Sequence, residues 1–163
     1  SESLRIGSHT FDEAIIRYLE KNKSVTVGYR TAEELKMLIG TAIADGRNFM
    51  ADVRGRSTET GLPVEADVDS QEIRTALEEP LDSIVHAVVS ILEKTPPELA
   101  ADIADHGIVL TGGGALLDGF DRLIARATGM AAYLCDTPLL SVANGAGKAL
   151  AEMDRLKDSY YES

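Results

Sequence analysis

Between residues 107 and 127 a short apolar run, Ile108-Val109-Leu110, passes through Thr111 straight into Gly112-Gly113-Gly114. Leu116, Leu117, Phe120, Leu123, Ile124 and Ala127 then recur at helical spacing. This order predicts a strand buried on both faces, a tight turn and a helix. Three adjacent glycines there have no Cβ to hold a ligand away, and bare backbone at a strand's carboxyl end suits a flat nucleotide or an anion at a helix N-terminus. A plain connection that needs positive φ fits the same residues. The glycine run alone leaves both possibilities standing.

The elements around this turn alternate between strand and helix. Ser3-Leu4-Arg5-Ile6-Gly7 alternates like a strand, and Phe11, Ala14, Ile15, Tyr18 and Leu19 follow as one helical face, with Thr10 and Asp12 as cap candidates. Val25-Thr26-Val27 is extended. Thr31 is placed to cap a second helix through Ala32, Leu35, Leu38, Ile39 and Ala42, ending near Gly46. Residues 49–54 and 62–68 alternate as a hairpin with one wet face, where Glu65, Asp67 and Asp69 are solvated acids rather than a catalytic pair. Ser70 offers a cap for the next helix, and Pro80 divides that segment in two. The second piece carries Leu81, Ile84, Val85, Val88, Val89 and Leu92 as a broad apolar stripe. A short helix follows Pro96-Pro97, a strand is expected over 130–135, and a last helix begins beyond Val142. The layout is one layered α/β domain interrupted by a smaller insertion at residues 25–79.

Composition excludes several classes. With 163 residues, 44% of them hydrophobic, the chain can bury a core. A net charge of -11, with Lys and Arg scattered among acids, argues against a nucleic-acid partner. A single cysteine, Cys135, rules out an internal disulfide framework and fits a reducing compartment. No apolar run approaches a membrane span and no signal-peptide pattern opens the sequence, so a cytoplasmic location is expected. His9, His86 and His106 lack metal-ligand spacing, and Ser141 and Thr111 lack a His-Asp grouping. No metal ligand and no catalytic residue is assigned.

Four collinear stretches resemble the MreB family of bacterial actins: Gly28-Tyr-Arg-Thr-Ala-Glu-Glu-Leu-Lys36 with Ile39-Gly40; Arg54-Gly-Arg-Ser-Thr-Glu-Thr-Gly-Leu-Pro63; the run from Lys94 through Gly112-Gly113-Gly114 to Leu117; and Gly145-Ala-Gly-Lys-Ala-Leu150. The resemblance covers nearly the whole chain. It implies an actin/ribonuclease-H-like α/β fold, represented by its C-terminal half. Residues 1–24 and 80–163 would form a large α/β subdomain that carries the adenosine-binding glycine turn, and residues 25–79 a small inserted α+β subdomain. It further implies an intact protein that binds ATP with Mg²⁺, polymerises into filaments at the inner face of the cell membrane, and organises cell-wall synthesis. Its partners would be its own protomers, the membrane-anchored adaptor RodZ and the wall-synthesis machinery, with membrane association indirect for this half.

Carried over residue by residue, the resemblance sets Gly112, Gly113 and Gly114 against the adenosine and turns Glu33 and Lys36 toward the adenine and ribose. Their i,i+3 spacing shares a helical face, so that Glu33 can accept from a ribose hydroxyl while the Lys36 stem covers the base. A surface ion pair is the plainer account of that spacing. In the family the phosphate loops and catalytic residues lie outside the matched stretch, so ATP hydrolysis is expected of the intact protein and not of this chain. Two segments depart from the family pattern: residues 140–145, with Ser141 and Asn144, and residues 42–48, expected at the tip of the small subdomain. Two other classes remain open. One is a piece of a sugar-kinase or chaperone-type ATPase, which leaves the Thr60-Gly-Leu-Pro63 and Lys94-Thr-Pro-Pro-Glu98 stretches unexplained. The other is an interaction module that has lost nucleotide binding.

Overall fold

The computed structural model describes residues 3–5 and 8–134. The expectations for Cys135, the 140–145 segment, the helix beyond Val142 and the 145–150 stretch lie outside the described residues. In chain order the elements are β1 (Ser3–Arg5), α1 (Ser8–Lys23), β2 (Val25–Thr26), α2 (Tyr29–Ile39), β3 (Met50–Ser57), β4 (Pro63–Asp69), α3 (Ser70–Ala76), α4 (Glu78–Lys94), α5 (Pro97–His106), β5 (Ile108–Thr111), a 3-10 turn (Gly113–Leu116), α6 (Phe120–Thr128) and β6 (Ala132–Leu134). They form two compact units. Among the described residues, β1, Ile84–Leu116 and the chain from Phe120 belong to the first, and His9–Ser83 with Leu117–Gly119 to the second.

The first unit holds a parallel sheet in the order β1-β5-β6. Leu4 pairs with Leu110, and Leu110 with Leu134, so β5 is the central strand. Ile108 and Leu110, which share one face of β5, are buried, and Val109 on the opposite face is half-buried. Phe120 and Ile124 supply the buried face of α6, which packs on β6. Pro97 stands at the first turn of α5, where a missing N–H costs no helical bond.

The second unit holds an antiparallel sheet in the order β2-β3-β4. Its register follows the alternation in the sequence. Val53 pairs with Ala66 and Ala51 with Val68, and Val53 and Val68 are buried. The next pairs outward, Asp52 with Asp67 and Arg54 with Glu65, point to solvent, the latter closed by a 2.7 Å ion pair. Phe11, Ile15 and Leu19 of α1, Ala32, Leu35 and Ile39 of α2, and Ile73 of α3 form the buried set around the inner face.

Pro80 divides the helical segment as expected. The break falls at Leu77 (φ -91°, ψ 0°), which places Pro80 in the first turn of α4. Cap and boundary expectations for three helices are corrected. The cap of α3 is Asp69, whose carboxylate accepts from the Glu72 N–H at 2.8 Å while Glu72 accepts from the Asp69 N–H at 3.2 Å. A reciprocal capping box wins over a lone serine, and Ser70 Oγ instead accepts from the Phe49 N–H at 2.8 Å. The α2 helix starts before Thr31, at Tyr29 after an extended Gly28, and stops at Ile39 rather than near Gly46. The α1 helix starts at Ser8, which leaves Thr10 and Asp12 inside it rather than as caps.

Glu72 does more than cap. It also accepts from Lys23 Nζ at 2.7 Å and from the Tyr18 hydroxyl at 3.1 Å, tying the end of α1 to the start of α3. Partial burial works to raise its pKa, but the bonds from Lys23, the Asp69 N–H and Tyr18 outweigh burial, and the net direction is down.

Candidate functional site

The glycine turn sits at the carboxyl end of β5, the central strand. Thr111 is buried, and Gly112 follows at φ 95°, a region that strains any residue with a Cβ. Gly113–Leu116 then make one 3-10 turn, closed by the Ala115 N–H donating to the Gly112 carbonyl at 3.1 Å. Gly112, Gly114 and Ala115 are buried. The expected α-helix does not begin here. Leu116 and Leu117 precede it, and α6 opens only at Phe120 after a second positive-φ residue, Gly119. Between these two kinks there is a 3-10 turn but no α-helix. The turn has three successive positions without a Cβ, not the stack of N–H groups of a long helix that holds an anion.

In the second unit, α2 carries Glu33 and Lys36, and the structure treats them differently. Glu33 is exposed. Lys36 is 4% exposed, and its Nζ donates to Asp12 Oδ1 of α1 at 2.9 Å. The surface-pair account is therefore corrected, since the lysine's partner is buried Asp12. Burial pushes the Asp12 carboxyl above its ordinary value, although the bond and charge of Lys36 pull the other way. A sequence signal existed: Asp12 sits beside Phe11 and one turn before Ile15, on the buried side of α1.

Sequence reasoning missed Arg47 and Asp118. After α2 ends, the Arg47 guanidinium donates to the carbonyls of Gly40 (2.8 Å), Met37 (2.7 Å) and Lys36 (3.2 Å), capping the helix C-terminus through space. Asp118 accepts through Oδ2 from the Thr41 hydroxyl (2.9 Å) and the Arg47 N–H (3.0 Å), and its carbonyl accepts from the Ala42 N–H (2.8 Å). Residues 41–47 are thus bonded onto residues 117–119 within the second unit.

A family model described as MreB/Mbl protein matches residues 1–158. The chain belongs to the MreB/Mbl family. It is 47% identical over 154 residues to the cell shape-determining protein MreB of Escherichia coli K12, covering 94% of this chain and 44% of that protein. To the cell shape-determining protein Mbl of Bacillus subtilis it is 40% identical over 156 residues, covering 96% of this chain and 47% of that protein. The chain thus spans less than half the length of these relatives. Among solved structures, MreB5 of Spiroplasma citri bound to AMPPNP superposes with a TM-score of 0.74 at 31% identity, over 90% of this chain and 42% of that one. The same protein bound to ADP gives 0.74 at 32%, over 93% of this chain and 45% of that one. The MamK double helical filament, at 23% identity and a TM-score of 0.56 over 87% of this chain and 43% of that one, shares the fold. The actin-like α/β fold expected from the sequence is therefore established.

Proposed function

We propose that this chain is the adenosine-binding half of an ATP-binding, filament-forming cell-shape protein that organises wall synthesis at the inner face of the cell membrane. The observation that carries this is the buried glycine turn on the central parallel strand, in a chain 31% identical to a protein solved with AMPPNP. Gly112, Gly113 and Gly114 contact the adenosine through bare backbone, and the exposed Glu33 carboxylate accepts from a ribose hydroxyl. Lys36 contributes its stem, while its ammonium stays with Asp12. ATP supplies its charge through the phosphates and Mg²⁺. Among the described residues no three His, Cys, Asp or Glu are grouped to hold a metal ion. Self-association into filaments, docking of RodZ and contact with the wall-synthesis machinery belong to the same proposal. They rest on family membership.

Nucleotide titration and ultracentrifugal pelleting of the full-length protein test it, beside Gly113→Asp and Glu33→Gln. Wild type is expected to bind ATP and to pellet with it. Gly113→Asp introduces a carboxylate against the base and should abolish both, while Glu33→Gln should weaken binding about tenfold, as loss of a charge-assisted bond to the ribose requires. Pelleting without nucleotide, unchanged by the aspartate, sinks the adenosine mechanism and puts the interaction-module reading ahead.

A further inference from the structure

The outer strand of the β2-β3-β4 sheet brings open main-chain groups, exposed acids and exposed apolar side chains to one register. We propose that β4 is a docking edge for an extended segment of a partner protein in which Lys or Arg alternates with apolar residues. All of its residues lie in the second unit, and it does not depend on nucleotide binding.

Main-chain direction follows from the two ends of the hairpin. At the turn the Ser57 N–H donates to the Leu62 carbonyl at 2.8 Å, and at the far end the Ser70 N–H donates to the Phe49 carbonyl at 2.9 Å. Hydrogen-bonded pairs alternate along an antiparallel ladder. The register between these ends is continuous, so Val64, Ala66 and Val68 turn their main-chain groups toward β3, and Pro63, Glu65, Asp67 and Asp69 turn theirs outward. Pro63 has no N–H, and the Asp69 N–H donates to Glu72 at 3.2 Å. The N–H and carbonyl groups of Glu65 and Asp67 therefore lie on an edge that no described strand covers. An added strand pairs with groups of this kind.

Side chains decide which strand fits. Glu65 and Asp67 are exposed on one face, about 7 Å apart, which is the spacing of every second residue in an added strand. Arg54 already answers Glu65 at 2.7 Å. Asp67 instead stands opposite Asp52, whose hydrogen bond and charge raise its pKa. The Lys23 ammonium works against that shift, but it is bound to Glu72 at 2.7 Å. A cation directly across from Asp67 relieves the repulsion and makes an opposite-charge cross-strand pair. On the other face Leu62 and Val64 are 64% and 36% exposed, so the intervening residues of the added strand bury apolar surface there. An acidic strand meets like charge at Asp67 and is disfavoured.

The test uses the full-length protein and three short labelled peptides: one alternating Lys with Val, one alternating Glu with Val, and a copy of the first methylated along its backbone nitrogens. The Lys-Val peptide should bind, and amide exchange at Glu65 and Asp67 should slow when it does. The methylated copy keeps the charge but cannot pair as a strand, and should bind at least about tenfold more weakly. Asp67→Lys faces Asp52 with an opposite charge, which keeps the hairpin, and should weaken Lys-Val binding about tenfold. Failure of the Lys-Val peptide to bind, or equal binding of the Glu-Val peptide, overturns the proposal. Equal affinity for the methylated copy does so too, by showing charge attraction without strand addition. So does unchanged exchange at Glu65 and Asp67, or wild-type affinity in Asp67→Lys. The peptide and exchange measurements on the unaltered protein decide the matter should that variant fail to fold.

Discussion

In the first unit the residues buried around the glycine turn are mainly apolar, Ile108, Leu110, Phe120 and Ile124, with Thr111 among them. The second unit buries an ion pair, Lys36 with Asp12, and anchors its helices through Glu72 and Asp118. The contrast separates two ways of holding a fold. Apolar burial depends on area removed from water and is indifferent to protonation. A buried ion pair gains little over an apolar pair of the same shape but loses a great deal when one partner is removed. The second unit should therefore respond to acid and to single charge changes, and the first to loss of volume.

The largest expected break is Lys36→Met, which strands the Asp12 carboxylate among apolar side chains and should cost about 3–5 kcal/mol. The double change Asp12→Leu with Lys36→Met should recover most of that loss. Denaturant unfolding of the pair of variants checks it, and a double variant as unstable as the single one would refute the ion-pair account. Next, Ile124→Ala in α6 should cost about 2–4 kcal/mol through the cavity it leaves. That loss should be the same at pH 4 and pH 7 in denaturant unfolding.

Glu72→Gln should be milder, about 1–3 kcal/mol at neutral pH, because three donors lose their charged acceptor. Here the sign of the pH effect matters. The Glu72 pKa is lowered from an ordinary 4.5, so its stabilisation is fully present above that value and disappears as pH falls through the folded-state value. Amide exchange at residues 69–73 should show wild type and Glu72→Gln converging below pH 4.5. Asp12 works the other way. Its pKa is raised from 3.8, so its contribution is present below that value and is lost as pH rises through the folded-state value. The acid response of the second unit is the difference between the two.

The smallest effect is expected at Asp67. It faces Asp52 directly across the hairpin, and the hydrogen bond and charge of Asp52 raise its pKa. Like charges directly opposite destabilise a sheet, so Asp67→Asn should slightly increase stability at neutral pH and do nothing once both acids are protonated. A comparison of melting temperatures at the two ends of that range decides it.

Patterns confined to a few neighbouring residues were legible in the sequence. The alternation of β3 and β4, the division of the helical segment at Pro80, and a turn at Gly112 after a buried strand all follow from local period and local backbone limits. The resemblance carried the family and the fold. Misread features depend on competition or on distance. Asp69 displaced Ser70 as a cap only because Glu72 reciprocates, and the end of α2 is set by Arg47 reaching back to its carbonyls. Thr41 and Asp118 lie 77 positions apart, and neither one alone signals a contact. Lys36 was legible as a candidate, but its burial against Asp12 depends on how α1 and α2 meet.

Among the described residues β4 is the outer strand of its sheet. A strand with one unpaired edge is an invitation to a strand from another molecule. Here that edge opens with Pro63, which has no N–H to give, and alternates through Glu65 and Asp67 to Asp69. At neutral pH a second copy arriving along the same edge would meet a row of like charges. The acids on the outer face of the hairpin thus act as a guard against unwanted strand addition, and neutral residues in place of Glu65 and Asp67 should drive aggregation through β4.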